Sequence, residues 1–119
     1  MKILVIDDDE GVRKFICTTL KREHYTVFEA DNGIGGLLLL EEHSDISVVI
    51  TDLIMPEKEG IETIIEMRQL YPKIKIMAIS GGGKVGPENH LVLADALGAN
   101  TTLKKPFSGQ ELLRAIDNL

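Results

Sequence analysis

The chain opens on Lys2-Ile3-Leu4-Val5-Ile6, an almost unbroken apolar run rich in β-branched residues. That is the pattern of a strand covered on both faces of a parallel sheet. The run stops at Asp7-Asp8-Asp9. From Glu10 to Glu23, Val12, Phe15, Ile16 and Leu20 recur at helical spacing while Arg13, Lys14, Lys21 and Arg22 fall on other faces, which predicts a first helix with one apolar stripe. A strand is predicted over Tyr25 to Ala30, a helix over Gly33 to His43 around the Leu37-to-Leu40 block, and a buried strand over Ile46 to Thr51. Pro56 and Gly60 punctuate a loop. After it, Ile61, Ile64, Ile65, Met67 and Leu70 form a helical stripe ending near Pro72, and Ile74 to Ile79 reads as a fourth strand. A glycine turn, Gly81 to Gly83, leads to a helix carrying Leu91, Val92, Leu93, Ala96 and Leu97, which Gly98 stops. Thr101 to Leu103 is a short fifth strand, and Ser108 with Glu111 three residues on is a capping box for a last helix through Leu112, Leu113 and Ile116.

Five strand-helix units with short connections call for an α/β fold, a doubly wound parallel sheet with helices on both faces. The 119 residues suit one domain, 1–119, rather than two with separate cores. In such sheets ligands bind at the carboxyl ends of the strands, near the point where strand order reverses. The polar residues expected there are Asp7, Asp8 and Asp9 after the first strand, Asp52 after the third, Ser80 after the fourth and Lys105 after the fifth.

Composition narrows the function. Hydrophobic residues at 44% and charged residues at 27% describe a globular chain, and no apolar run approaches a membrane span. No export signal is visible, so the cytoplasm is the default. Thirteen Lys and Arg against 19 Asp and Glu give a net charge of −6, which removes the basic footprint of direct nucleic-acid binding. The single Cys17 has no disulfide partner and reads as a small core residue.

The strand-end residues carry chemistry. Carboxylates of Asp7, Asp8 and Asp52 brought together repel by roughly 1 to 4 kcal/mol per pair, so they need a cation or a proton. Mg²⁺ suits one or two carboxylates and accepts phosphate oxygens, whereas Ca²⁺ asks for more protein oxygens; His24, His43 and His90 are scattered, so zinc has no ligand set. Beside such an ion a carboxylate can take a phosphoryl group as an acyl phosphate, with Asp52 best placed, Lys105 as a compact cation and the Ser80 hydroxyl as a donor. Each residue taken singly has a plainer reading: Asp8 or Asp9 as a helix cap, Asp52 and Ser80 as turn residues, Lys105 as a solvated charge. Their conjunction at four strand ends favours a site.

In Ile3-Leu4-Val5-Ile6-Asp7-Asp8-Asp9, Thr51-Asp52-Leu53-Ile54-Met55-Pro56 with Gly60, and Lys105-Pro106-Phe107, the sequence resembles the CheY-like receiver domains of two-component response regulators, over its full length. The resemblance implies a flavodoxin-like strand order 2-1-3-4-5 flanked by five helices. It implies Asp52 as phosphoacceptor, Asp8 as direct Mg²⁺ ligand, Asp7 acting through metal-bound water, and the backbone carbonyl of Ile54 as a further ligand. Ser80 matches the switch hydroxyl, Lys105 the lysine that pairs with the phosphoryl group, and the peptide before Pro106 one that is usually cis. It also implies a module that catalyses only its own phosphorylation and dephosphorylation, a sensor histidine kinase or histidine phosphotransfer protein as donor docking near the first helix, and a downstream protein target. With no output domain after the last helix, the expectation is a stand-alone regulator or a piece trimmed from a longer one.

Thr102 departs from the family, which often has Tyr or Phe three residues before the motif lysine. Signalling is therefore expected to rely on the Ser80 loop and the helix that follows it, with Gly81, Gly82 and Gly83 lending the loop freedom. Three rival readings fit the residues less well. A haloacid-dehalogenase-type phosphatase would use Asp7 and Asp9 but leave Asp52 idle. A nucleotide-binding module lacks a glycine-rich loop after the first strand. A phosphorylation-independent interaction module has no evident need of Asp52 and Lys105. Family positions that tune phosphoryl lifetime are Ile54 and Gly82, neither with a polar side chain. Ile54 is expected to shield the acyl phosphate, so Ile54→Asn should change its decay rate when the phosphorylated protein is followed by intact mass; an unchanged rate contradicts the shielding.

Overall fold

A computed structural model describes residues 1–53, 60–81 and 98–119. Along the chain these form β1 (Lys2–Ile6), α1 (Glu10–Arg22), β2 (Thr26–Ala30), α2 (Gly33–Glu42), β3 (Val48–Asp52), α3 (Gly60–Leu70), β4 (Lys75–Ser80), β5 (Thr101–Lys104) and α4 (Gly109–Asp117). All strand pairs are parallel and the sheet order is β2-β1-β3-β4-β5, the order the resemblance implies. Four helices lie among the described residues; the further helix expected over 91–97 falls outside them.

The near-continuous apolar strands have the cause anticipated: both faces are covered. Leu4, Ile6, Val49, Ile76 and Ala78 point to one side with Leu40 of α2 and Ile64 and Met67 of α3. Ile3, Val5, Ile50, Met77 and Ile79 point to the other with Ile16 and Leu20 of α1 and Leu112 and Ile116 of α4. Successive residues of a strand alternate between faces, so two cores are built from one run.

Boundaries moved by a residue or two where a backbone group had another use. Tyr25 is not part of β2, because its N–H donates to Leu20 O at 3.2 Å in the C-terminal cap of α1. His24 carries that cap with φ of 66° and donates to Lys21 O, the left-handed position usually given to glycine. The third strand begins at Val48, since Ile46 N closes a turn onto His43 O, and it extends to include Asp52. Phe15 was expected on the buried stripe of the first helix but is 44% exposed, its ring centroid 6.1 Å from that of Phe107. At 100° per residue, Val12, Ile16, Leu20 and Cys17 span a continuous arc, and Phe15 lies one step outside it.

Arg68 ties the far end of the sheet together. Its guanidinium donates to Pro72 O, Ile74 O, twice to Gly98 O and to Asn100 Oδ1, at 2.7 to 3.1 Å. Asn100 Oδ1 also accepts from Ile76 N at 2.8 Å. Gly98, expected to stop a helix, has φ of 108° and presents its carbonyl to Arg68.

At the opposite end Gly60 sets the entry of α3. A Cβ there would lie 1.9 Å from Asp52 O and 2.5 Å from Leu53 Cα, both backbone, so no side-chain movement relieves it. Gly60→Ala should therefore cost about 2 to 3 kcal/mol in urea denaturation, the range for overpacking against fixed atoms. Gly109→Ala, whose Cβ meets only the Thr19 side chain, nearest at 3.3 Å, should be near neutral; equal effects would refute the close-approach argument.

Candidate functional site

Parallel pairing delivers the predicted residues to one edge. Ile6 pairs with Thr51, Asp52 with Ile79 and Ser80 with Lys104, so the last residues of four strands reach the carboxyl edge together. The ladder runs one residue further on each side, with Leu53 N donating to Ile79 O at 3.0 Å and Lys105 N to Ser80 O at 2.8 Å. The site residues thus inherit the rigidity of the sheet.

Asp7, Asp8 and Asp52 each place a carboxylate oxygen within 4.8 Å of the others. Asp7 and Asp52 are buried and Asp8 is exposed, so the group has two inner walls and one open side. Lys105 Nζ lies 3.0 Å from Asp52 Oδ2 and 3.4 Å from Asp7 Oδ2. Asp7 Oδ1 accepts from Asp9 N at 2.9 Å, whereas Oδ2, fully buried, accepts no hydrogen bond among the described residues. Asp9 itself faces away as the N-cap of α1, accepting from Val12 N at 3.1 Å. Of the three adjacent aspartates, two form the cluster and the third is the helix cap.

Burial, with the charge of Asp52 adding to it, pushes the Asp7 carboxyl up to about 6, despite the Asp9 N–H and Lys105 acting the other way. For Lys105, burial by itself would lower the ammonium. The hydrogen bond and charge of Asp52, with the charge of Asp7, outweigh it and hold the group above its ordinary value. Lys105 therefore stays a cation, but one ammonium faces up to three carboxylates. An all-oxygen donor set, a buried oxygen that accepts no hydrogen bond among the described residues, and surplus negative charge fit a hard divalent ion.

Ser80 is buried at the end of β4. Thr102 is half-buried in β5 opposite Ala78, three residues short of the cluster. Ile54, with its carbonyl, lies outside the described residues, as do Met55, Pro56, Gly82 and Gly83. The Lys105–Pro106 peptide is cis, as the resemblance implies. Cys17 is buried and its thiol is pushed up to about 11, first by burial and then by Glu29, which fits the core role expected of it.

Two supporting residues escaped sequence reading. Arg13, placed on a solvent face by periodicity, donates from Nη1 to Asp7 O at 2.8 Å and from Nε to Glu29 Oε1 at 3.0 Å, fixing the backbone behind the carboxylates. Its position one turn into the first helix, above the acidic run, was the available signal. Gly81, expected to lend the loop freedom, has a packing reason as well: a Cβ there would lie 2.2 Å from Lys105 Cβ and 3.0 Å from its Cγ.

The folded Asp7 carboxyl, at about 6, holds a proton that the unfolded chain, at the ordinary 3.8, gives up. Stability of the metal-free protein from this group is thus undiminished below about pH 4, falls as pH rises to 6, and stays reduced above. Asp7→Asn should stabilise the metal-free protein at pH 7 by about 1 to 2 kcal/mol and by little at pH 4, measured by denaturation in a chelator. A gain independent of pH would contradict the assignment.

Three comparisons bear on this site. The family model described as "Response regulator receiver domain" matches residues 3–117. The chain is 35% identical to the chemotaxis protein CheY homolog of Campylobacter jejuni, covering 100% of this chain and 92% of that protein. It is 32% identical to the response regulator receiver protein CpdR of Brucella abortus, covering 99% and 95%. Among solved structures, a response regulator receiver domain protein from Clostridium thermocellum superposes with a TM-score of 0.89 at 33% identity, covering 98% of this chain and 91% of that one.

Proposed function

We propose that this chain, which belongs to the response regulator receiver domain family, takes a phosphoryl group onto Asp52, with Mg²⁺ held at Asp7, Asp8 and Asp52, and changes conformation as a result. Receiver domains are regulatory modules of two-component systems that work between sensor kinases and downstream targets. The observation that carries the assignment is the position of Asp52: last residue of β3, in the middle of the sheet, buried, with Oδ2 3.0 Å from Lys105 Nζ and a carboxylate pair beside it.

Asp52, Asp8 and Asp7 are the groups that would hold the ion, with the Ile54 carbonyl as a further ligand by resemblance. The ion would neutralise negative charge on carboxylates and phosphoryl oxygens so that they can approach. In the transfer, an Asp52 carboxylate oxygen bonds to phosphorus as the bond from phosphorus to the donor's imidazole nitrogen breaks, leaving an acyl phosphate and a histidine that takes up a proton. Lys105, held as a cation, moves its pairing from the Asp52 carboxylate to a phosphoryl oxygen. The buried Ser80 hydroxyl, on the adjacent strand end, donates to another.

Bonding Ser80 and Lys105 to the new group favours one of two conformations, and only that differential bonding moves the equilibrium. Thr102 brings no ring to the switch, and residues 82–97 after Ser80 and Gly81, on which the change was expected to fall, lie outside the described residues. A phosphohistidine donor is proposed to dock beside α1, where Gly11, Val12, Phe15, Pro106 and Phe107 border an apolar cleft of about 270 Å³ that reaches Lys105. The exposure of Phe15, unexpected for a core residue, supports this placement.

The phosphatase rival fares poorly, because Asp9 turns to Val12 N and leaves the carboxylates it would have to join. A phosphorylation-independent module has no use for the Lys105–Asp52 pair. Incubation with Mg²⁺ and acetyl phosphate should add one phosphoryl group by intact mass. Chelation or Asp52→Asn should abolish the addition, and Lys105→Ala should leave uptake but uncouple it from conformational change. Uptake that survives Asp52→Asn would remove the assignment; no uptake from acetyl phosphate or from a phosphohistidine protein would restore the phosphorylation-independent reading.

A further inference from the structure

The helices on the side of the sheet away from α1 leave an apolar groove open. Ile34 and Leu38 of α2 are 52% and 55% exposed and Leu70 of α3 is 63% exposed, although all three are large apolar side chains. Together with the half-buried Tyr71 they line a groove of about 320 Å³ between the two helices. Ile34 and Leu38 are one turn apart, so they make a ridge along α2 rather than scattered spots. Single exposed leucines need no explanation, but a continuous groove of them does.

The charge around the groove says what fits it. Its described lining includes Glu41 and Glu66 and no basic residue. The last turn of α2 holds Glu41 and Glu42 with no lysine or arginine, at the negative end of the helix dipole, where carboxylates cost stability and cations are favoured. His43, the next residue, is stacked on the Phe28 ring with centroids 4.3 Å apart. A second copy of this chain would bring another net charge of −6 and another pair of glutamates to the same place, and an anionic lipid surface would be repelled likewise.

We infer that the α2–α3 groove docks an amphipathic helix of a basic partner protein, its apolar stripe between Leu38 and Leu70 and its lysines or arginines against Glu41 and Glu42. This is the helix-in-groove mode, read by apolar anchors at one-turn spacing and given direction by flanking charge. The surface belongs to helices remote from α1, so it adds a partner to the phosphoryl donor rather than competing with it.

The test is backbone-amide NMR of the full chain with two synthetic peptides carrying the same helical leucine stripe, one flanked by lysines and one by glutamates. The lysine peptide should give saturable shifts centred on residues 34–41 and 66–71, and the glutamate peptide none. Leu38→Asp with Leu70→Asp should weaken binding about tenfold or more, as for loss of central anchors. Glu41→Gln with Glu42→Gln should weaken it about threefold and blunt its salt dependence. The leucines are more than half exposed, so unchanged spectra elsewhere should show that these variants fold; Ile34→Gln gives a second, uncharged probe of the groove. Three outcomes overturn the inference: no saturable binding, shifts spread over the acidic surface that survive the leucine variants, or a concentration-dependent dimer of the chain that those variants dissociate.

Discussion

Lys105 standing between Asp52 and Asp7 is the contact on which the rest of the site depends. Its ammonium reaches both carboxylates within 3.4 Å, and these sit at the ends of strands buried on both faces. Burying like charges is expensive unless a counter-charge is fixed nearby, and one lysine answers only part of three carboxylates. The raised Asp7 carboxyl, whose buried Oδ2 has only the 3.4 Å ion pair to Lys105 and no hydrogen bond among the described residues, records the unanswered part. A divalent cation would answer the rest and, with Lys105, offset the charge that an incoming phosphoryl group adds, so in the proposed function the same residues serve metal binding, transfer and switching. The sheet supplies what a surface cluster would lack, because ladder hydrogen bonds on either side of Asp52 and Lys105 hold the charges in place.

Much of this was legible in the sequence for a definite reason. Strands buried on both faces must be apolar throughout, so the abrupt polar ends at Asp7, Asp52 and Ser80 stand out, and parallel pairing then forces those ends to one edge. The capping box at Ser108 and Glu111 was equally readable, since both reciprocal bonds form within four residues. Asp8 and Asp9 were not separable by type; only the backbone geometry sends Asp9 to cap α1 and leaves Asp8 in the cluster. Phe15 was misplaced because its spacing from the stripe is one step off and its hydrophobicity argued for burial.

What sequence reading missed involves arginines that leave their helix surface to bind backbone carbonyls outside it. Arg68 gathers carbonyls from 72, 74 and 98, and Arg13 holds Asp7 O; nothing in local periodicity distinguishes such arginines from solvated ones. Gly81 was likewise read as a source of freedom, and Gly60 as the punctuation of a loop. Both are also places where Asp52 O and the Lys105 stem come too close for any Cβ. Both press on the strand that carries Asp52 or on Lys105, so the constraint that builds the site also restricts which residues can surround it.

The most direct test is a crystal structure of the full chain grown with Mg²⁺ and beryllofluoride, a stand-in for the phosphoryl group. The account predicts beryllium bonded to an Asp52 carboxylate oxygen, Lys105 Nζ and Ser80 Oγ on the fluorines, and the ion ligated by Asp8 and Asp52, with Asp7 reached directly or through water. Beryllofluoride on another residue, or an adduct on Asp52 with Lys105 still paired to Asp7 and Ser80 turned away, would contradict it.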